Sequence, residues 1–209
     1  MSENPSRGRA LRVPLRTLVM AALLLAMYVV LDRFVSIKTA GWKIGFAFIA
    51  PAVAAILFGP LWSMLVYTLG DLIGALLFPF GPYHPGFTVC AALMGALLGL
   101  FLNRTPLKSF GSDFAWQRIR LFPNIVLPVV VNCLLLGLVV NTLWVSQLYG
   151  SRTYGGWLVY RLPEYAVLVP VQLVLLPILL RLCPLLRRDG RQTARVEPPH
   201  TFDKENNLP

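Results

Sequence analysis

Residues 44–78 read IGFAFIAPAVAAILFGPLWSMLVYTLGDLIGALLF, and Asp71 is the one charged residue among them. A helix that crosses a bilayer needs about 20 mainly apolar residues, so this run is far too long for a single span. Gly59 and Pro60 interrupt the run near its middle, and a Gly-Pro pair is a turn signal. The stretch therefore predicts two membrane helices that are joined by a tight turn.

The composition of the whole chain agrees with a membrane protein. Of the 209 residues, 56% are hydrophobic and 13% are charged, whereas a soluble domain carries about 25% charged residues. Mean hydropathy is +0.66. We predict an all-α integral membrane protein, a bundle of six transmembrane helices. The predicted spans centre on residues 15–31, 44–58, 61–78, 87–102, 125–148 and 165–182.

The positively charged residues indicate how these helices are oriented. An even number of spans places both termini on one side of the membrane, and Lys and Arg are enriched on the cytoplasmic side. With the N-terminus inside, fourteen of the 19 Lys and Arg residues face the cytoplasm. We therefore predict a multi-pass protein of the cell membrane with both termini in the cytoplasm. The five that face outward are Arg33, Lys38, Lys43, Arg152 and Arg161.

The predicted organisation has a membrane domain between two polar ends. Residues 1–16 form a basic cytoplasmic segment, residues 17–182 the six-helix membrane domain, and residues 183–209 a disordered cytoplasmic tail. A net charge of +10 is also found in nucleic-acid-binding proteins. Here the basic residues lie at the ends of apolar segments, which indicates contact with anionic membrane lipid. Nucleic acid is therefore excluded as a partner.

Pairs of small residues four positions apart recur in four of the predicted helices. In lipid, such pairs let two helix backbones approach closely. Each pair is explained either by packing inside the bundle or by contact with another membrane protein. The pairs are Ala22 and Ala26, Ala50 and Ala54, Gly70 and Gly74, and Gly95 and Gly99.

Asp71 lies inside the third predicted helix, about two turns from Phe78. A carboxylate at membrane depth is costly unless it has a partner or lines a water-filled cavity. Two interpretations are open. Asp71 either faces a ligand cavity or forms a structural ion pair with Arg33 or a helix end.

The connection between the third and fourth helices, residues 78–87, reads FPFGPYHPGF. Three prolines and two glycines fix its backbone, and Phe80, Tyr83, His84 and Phe87 supply flat rings. Rigid rings give a large contact area at small entropic cost, which suits a planar heteroaromatic ligand. An aromatic belt at the membrane interface is the alternative.

Further polar groups are predicted at the same outer side. Asn141 and Trp144 lie toward the outer end of the fifth helix, while Arg33, Lys43 and Arg161 supply cations. An amide donates and accepts hydrogen bonds, and a guanidinium matches a carboxylate. The outward loops thus present rings, amides and cations, a set that fits a flat molecule with negative charge.

The sequence lacks the motifs of the common catalytic and metal sites. It contains no GxxxxGK[ST] phosphate loop, no HExxH pair and no Cys/His cluster with zinc spacing. His84 and His200 are predicted on opposite sides of the membrane. Cys90, Cys133 and Cys183 lie in apolar surroundings and are predicted to be packing residues. We expect no enzymatic activity and no cofactor.

Several of these segments resemble the folate family of substrate-binding (S) components of energy-coupling factor (ECF) vitamin transporters. The resemblance runs from the first helix to the end of the fifth. Two departures, Ala50 before Pro51 and His84 in place of the usual aromatic residue, leave the ligand open. The matching stretches are RFVSI at 33–37, KIGF at 43–46, LFGP at 57–60, GD at 70–71, the loop at 78–87, NTLW at 141–144 and YG at 149–150.

The resemblance implies a six-helix binding protein whose ligand pocket lies on the outer face, built from the first, third and fifth connections. Family members have no ATPase activity of their own. They dock onto a transmembrane scaffold subunit that couples to two cytoplasmic ATPases, and an Ala-xxx-Ala face on the first helix contacts the scaffold. In this sequence that pattern falls on Ala22 and Ala26.

The resemblance implies capture of folate or a related pterin for an ATP-driven importer. A related alternative is the same machinery with another vitamin or a nucleobase-like ligand. A stand-alone secondary transporter would show internal repeats and helices broken within the membrane. A membrane enzyme would need paired acid, base or nucleophile groups, whereas Asp71 has no second such group beside it in the sequence.

Overall fold

The structure is a computed structural model that describes residues 14–39, 42–79, 81–104 and 123–192. Among these residues, five helices are long and apolar enough to cross a membrane, and one apolar helix is shorter. In chain order the elements are α1 (Leu15–Arg33), β1 (Ile37–Thr39), β2 (Trp42–Ile44), α2 (Ile49–Phe58), α3 (Pro60–Leu77), α4 (Pro85–Arg104), α5 (Pro123–Tyr149) and α6 (Tyr154–Gln192).

The turn predicted between the second and third helices is confirmed. Gly59 has a φ of 98°, in the region that favours glycine. Pro60 is the first residue of α3, a position where its missing N–H has no intrahelical partner to lose. The chain therefore reverses within two residues, and α2 and α3 pack side by side.

The prediction of an all-α chain was wrong between α1 and α2. Strands β1 and β2 pair antiparallel there, with Ile37 opposite Ile44 and Lys38 opposite Lys43. Because residues 42–44 are taken up by the hairpin, α2 begins at Ile49 and not at residue 44. Its ten residues extend about 15 Å, half the thickness of the hydrocarbon core.

Helix α6 is longer than predicted at both ends. It begins at Tyr154, where the Thr153 hydroxyl caps it by accepting from the Gly156 N–H at 3.3 Å. Arg161 and Glu164 lie within the helix as an ion pair. It continues to Gln192, so the part of the predicted disordered tail up to that residue is helical. Residues 193–209, like residues 1–13, lie outside the described part of the chain.

Three of the four small-residue pairs pack inside the bundle. A Cβ at Gly70 or Gly74 would overlap side chains of α1, and one at Gly95 or Gly99 would overlap the backbone of α3. Ala50 and Ala54 are fully buried. The pair on α1 differs, because Ala22 and Ala26 are both exposed.

The main core lies between α2, α4, α5 and α6. Leu98, Val129 and Leu176 are its centre, each at most 2% exposed. The three cysteines are buried and free, and Cys133 and Cys183 belong to this core. The prediction that they serve as packing residues is therefore confirmed for these two.

Candidate ligand-binding cavity

A cavity of about 320 Å³ lies beside the hairpin and is lined by residues of α1, α3, α4, α5 and α6 and by the segment before α2. Its volume falls in the range of pockets that hold small organic ligands. Both polar and aromatic side chains line it. Seven of the residues predicted to bind a ligand are in its wall: Arg33, Lys43, Asp71, Tyr83, Phe87, Asn141 and Arg161.

Asp32 organises the cationic side of the cavity. It lies at the end of α1 and is only 2% exposed. Lys43 Nζ donates to its Oδ1 at 2.6 Å. Arg33 Nε lies 3.1 Å from its Oδ2, although the alignment is not that of a hydrogen bond. One buried carboxylate thus holds two cations and ties β2 to α1.

Arg33 connects this group to the loop after α3. Its Nη1 donates to the carbonyl oxygen of Phe78 at 3.2 Å. A Cβ at Gly74 would lie 2.5 Å from Arg33 Nε. The absence of a side chain at Gly74 therefore lets the guanidinium lie flat against α3.

Lys38 adds a third positive charge beside Arg33 and Lys43. Its Nζ donates to the carbonyl oxygen of Arg33 at 2.8 Å. Burial, together with the neighbouring Lys43 and Arg33, lowers the pKa of Lys38. Because these positive charges repel one another, an anion close to them is stabilised. The hairpin end of the cavity therefore favours a negatively charged ligand group.

Asp71 does not pair with Arg33, whose acidic partner is Asp32. The Oδ2 of Asp71 accepts a hydrogen bond from Thr88 Oγ1 at 3.0 Å. The Thr88 hydroxyl also lies 2.8 Å from the hydroxyl of Tyr83. This chain of contacts joins α3 to the start of α4 and positions Tyr83 at the cavity.

Arg161 is more constrained than the sequence indicated. It is 6% exposed and donates to Glu164 Oε2 at 3.1 Å, Thr142 Oγ1 at 3.2 Å and Tyr165 Oη at 3.0 Å. A guanidinium has five N–H donors, so these three contacts leave two. Arg161 can therefore donate to a ligand, but its charge is paired with that of Glu164.

The charges in the described cavity wall balance. The cations are Arg33, Lys43 and Arg161, and the acids are Asp32, Asp71 and Glu164. The balance stabilises the ligand-free protein, because each buried charge has an opposite charge or a hydrogen bond nearby. An anionic ligand is therefore favoured by the local arrangement at the hairpin and not by net charge.

His84 and Trp144 are outside the described cavity wall. Their rings stack at a centroid distance of 4.8 Å, and the Nδ1 of His84 accepts a hydrogen bond from the Gly86 N–H at 3.1 Å. His84 also makes an edge contact with Phe87. The pair thus lies behind Phe87 and supports it. Phe80, also predicted at the site, lies outside the described residues.

Sequence reasoning missed several residues of the wall. Tyr28, Asp32, Asn132, Glu164 and Tyr165 all line the cavity. The adjacent Asp32 and Arg33 at the end of a predicted helix could have indicated that Asp32 belongs to the site. Asn132 could have been found as an amide within an apolar run. Their side chains point inward only because of distant contacts, which a local pattern does not contain.

Comparison with known proteins places this chain in a transporter family. The family model described as "ECF-type riboflavin transporter, S component" matches residues 13–176. The Folate transporter FolT of Clostridium novyi is 31% identical over 154 residues, which is 74% of this chain and 81% of that protein. The Folate transporter FolT of Leuconostoc mesenteroides is 27% identical over 162 residues, 76% of this chain and 80% of that protein.

A solved structure supports the same family assignment. The crystal structure of FolT bound with folic acid superposes with a TM-score of 0.61 at 31% identity, and the match covers 76% of this chain and 88% of that chain. The match with the family model extends over most of the membrane body, from the start of α1 into α6. The chain therefore belongs to the family of S components of ECF-type transporters.

Proposed function

We propose that this chain captures folate or a related pterin at the outer face of the cell membrane. The observation that carries the proposal is the cavity wall, which combines aromatic rings, an amide and two cations around Asp32. The flat rings suit a pteridine, and Arg33 and Lys43 suit a carboxylate. Two relatives are named folate transporters, and the solved neighbour holds folic acid.

The choice between folate and riboflavin depends on charge. The matching family model carries the name of a riboflavin transporter. Both vitamins are flat heteroaromatic molecules, but riboflavin has no carboxylate. Arg33 and Lys43 share Asp32 as their acidic contact in the described residues, and Lys38 donates to the Arg33 carbonyl oxygen beside them. This arrangement favours the ligand that carries carboxylates.

The binding experiment uses the detergent-purified chain without ATP or added sodium. We expect folic acid to bind by titration calorimetry and riboflavin to bind much more weakly. Preferential binding of riboflavin would overturn the choice of ligand. A strict requirement for sodium or protons would favour the stand-alone secondary transporter instead.

The proposed orientation has six spans and both termini in the cytoplasm. The five long helices and the shorter α2, together with its flanking residues, supply the spans. The excess of Lys and Arg at the ends and in the region between α4 and α5 supports the assignment of the inner side. Cysteine labelling of intact cells tests it, because Thr153 should react with an impermeant reagent as cysteine and Arg16 should not.

Coupling to an importer is proposed through the exposed side of α1. Ala22 and Ala26 are exposed there, while Tyr28 and Asp32 lie on the buried side. A shallow exposed groove of two alanines lets another helix approach closely. We propose that this groove contacts the ECF scaffold subunit, which links the chain to two cytoplasmic ATPases. One helix then carries both the scaffold contact and the residue that organises the cavity.

A further inference from the structure

The middle of α5 is not an α-helix. Residues Val131–Val140 form a π-helix of ten residues, and the Asn141 N–H donates to the Leu136 carbonyl oxygen, five positions earlier. Most π-helices are single turns, and they are frequent at functional sites. A ten-residue π-segment at the wall of the cavity therefore requires an explanation.

The π-segment changes which residues share a face. An α-helix turns about 100° per residue, so residues nine positions apart lie on opposite faces. A π-helix, with its i to i+5 bonds, turns about 80° per residue, so the same separation is about two full turns. Asn132 and Asn141, nine positions apart, therefore lie on one face, and both line the cavity.

Asn132 presents a defined acceptor to the cavity. The residue is 5% exposed, and its Nδ2 donates to the Met94 carbonyl oxygen at 3.2 Å. Because a carbonyl oxygen can only accept, this contact fixes the orientation of the amide. Its Oδ1 is buried and has no hydrogen-bond partner, and the same is true of the Oδ1 of Asn141.

Buried acceptors without a partner are rare in proteins, because the lost hydration is not replaced. Two of them in the wall of one cavity indicate that a ligand supplies the donors. We propose that the Oδ1 atoms of Asn132 and Asn141 accept hydrogen bonds from two separate N–H groups of the bound ligand, and that the π-segment exists to place them on one face. The proposal rests on the proposed function and names a determinant of its ligand specificity.

Two helical turns separate the two side chains along α5, so one edge of a ring cannot meet both of them. The ring edge that meets Asn132 needs an N–H donor, and a 2-amino-4-oxo-pteridine has such an edge, since its ring N–H lies next to an exocyclic amino group. The amide oxygen of Asn132 matches this edge and would reject a ring that presents only acceptors there. Asn132 then accepts from the exocyclic amino group, Asn141 accepts from an N–H group farther along the ligand, and the cations at the hairpin bind the carboxylates.

The test pairs two ligands with three proteins. The ligands are folic acid and an analogue in which a methyl group replaces the 2-amino group. The proteins are the wild type, Asn132→Ala, and the control Leu135→Ala, whose side chain is on the exposed face of the same π-segment. Affinity is measured by calorimetry, and folding is checked by size-exclusion chromatography.

We expect Asn132→Ala to weaken folic acid binding on the order of tenfold to a hundredfold. The same variant should weaken binding of the analogue much less, because the donor is already missing. Leu135→Ala should bind both ligands as the wild type does. Equal losses for both ligands, or no loss for folic acid, would overturn the role of Asn132.

The wild type provides a second measurement that needs no variant. It should bind the analogue on the order of tenfold more weakly than folic acid, and equal affinity for the two would overturn the inference even if Asn132→Ala fails to fold. If the proposed function itself is wrong, the result is different, because the wild type then binds neither ligand.

Discussion

Replacing Asp32 by Asn removes the carboxylate that holds Arg33 and Lys43 at the cavity. The side chain of Arg33 is 10% exposed and that of Lys43 is 40% exposed. Breaking a buried ion pair costs about 3 to 5 kcal/mol, whereas exposed pairs are worth at most about 1 kcal/mol. Since one partner is buried and the other is partly screened, we expect the ligand-free protein to lose about 2 to 4 kcal/mol of stability.

The loss is measurable by thermal unfolding in detergent, followed through the fluorescence of the five tryptophans. It corresponds to a fall in Tm of about 5 to 15 °C for a chain of this length. Asp71→Asn is the matched control, because Asp71 accepts a hydrogen bond from Thr88 and makes no ion pair in the described residues. Asn at this position can still accept from Thr88, so the variant should cost no more than about 1.5 kcal/mol, the difference between a charged and a neutral hydrogen bond.

The response to ligand separates this explanation from general damage. Without Asp32, the carboxylates of folic acid supply the missing negative charge beside Arg33 and Lys43. The increase in Tm on adding folic acid should therefore be larger for Asp32→Asn than for the wild type. A variant as stable as the wild type, or one that loses stability without an enlarged response to folic acid, would refute the role assigned to Asp32.

Three further predictions concern the cations, the helix packing and the scaffold contact. Arg33→Ala should weaken folic acid binding by about 1.5 to 3 kcal/mol in calorimetry, the range for hydrogen bonds to charged groups; unchanged affinity would remove Arg33 from the site. Gly70→Ala should cost about 1 to 3 kcal/mol of stability by overpacking against the buried ring of Tyr28, whereas Gly155→Ala should not, because no atom lies within 4 Å of the Cβ position there. Equal Tm values for the two glycine variants would contradict the close approach of α1 and α3. Ala22→Trp and Ala26→Trp should each block co-purification with the scaffold and leave folic acid binding intact, and joint loss of both properties would contradict a scaffold contact.

The sequence alone determined the class of protein and the approximate positions of its helices, although not where α2 and α6 begin. Apolar length and the scarcity of charge are local properties, and no soluble core can bury so many long apolar runs. The break at Gly59 and Pro60 is also local, because one residue requires an unusual φ and the next lacks an N–H. Polar and aromatic residues within and beside the apolar runs are also a local pattern, and seven of those predicted to bind a ligand line the cavity.

The tertiary structure decided how those residues meet. In the hairpin Ile37 pairs with Ile44, so Ile44, which was predicted to begin the second helix, belongs to a strand. Asp32 acquires its role through Lys43, eleven positions away, and Asn132 through Met94 on a neighbouring helix. The π-segment rotates Asn132 and Asn141 onto one face, whereas the helical period read from the sequence places them on opposite faces. A local pattern fixes which residues are apolar or polar, but the direction of each polar side chain depends on partners that only the folded chain brings within reach.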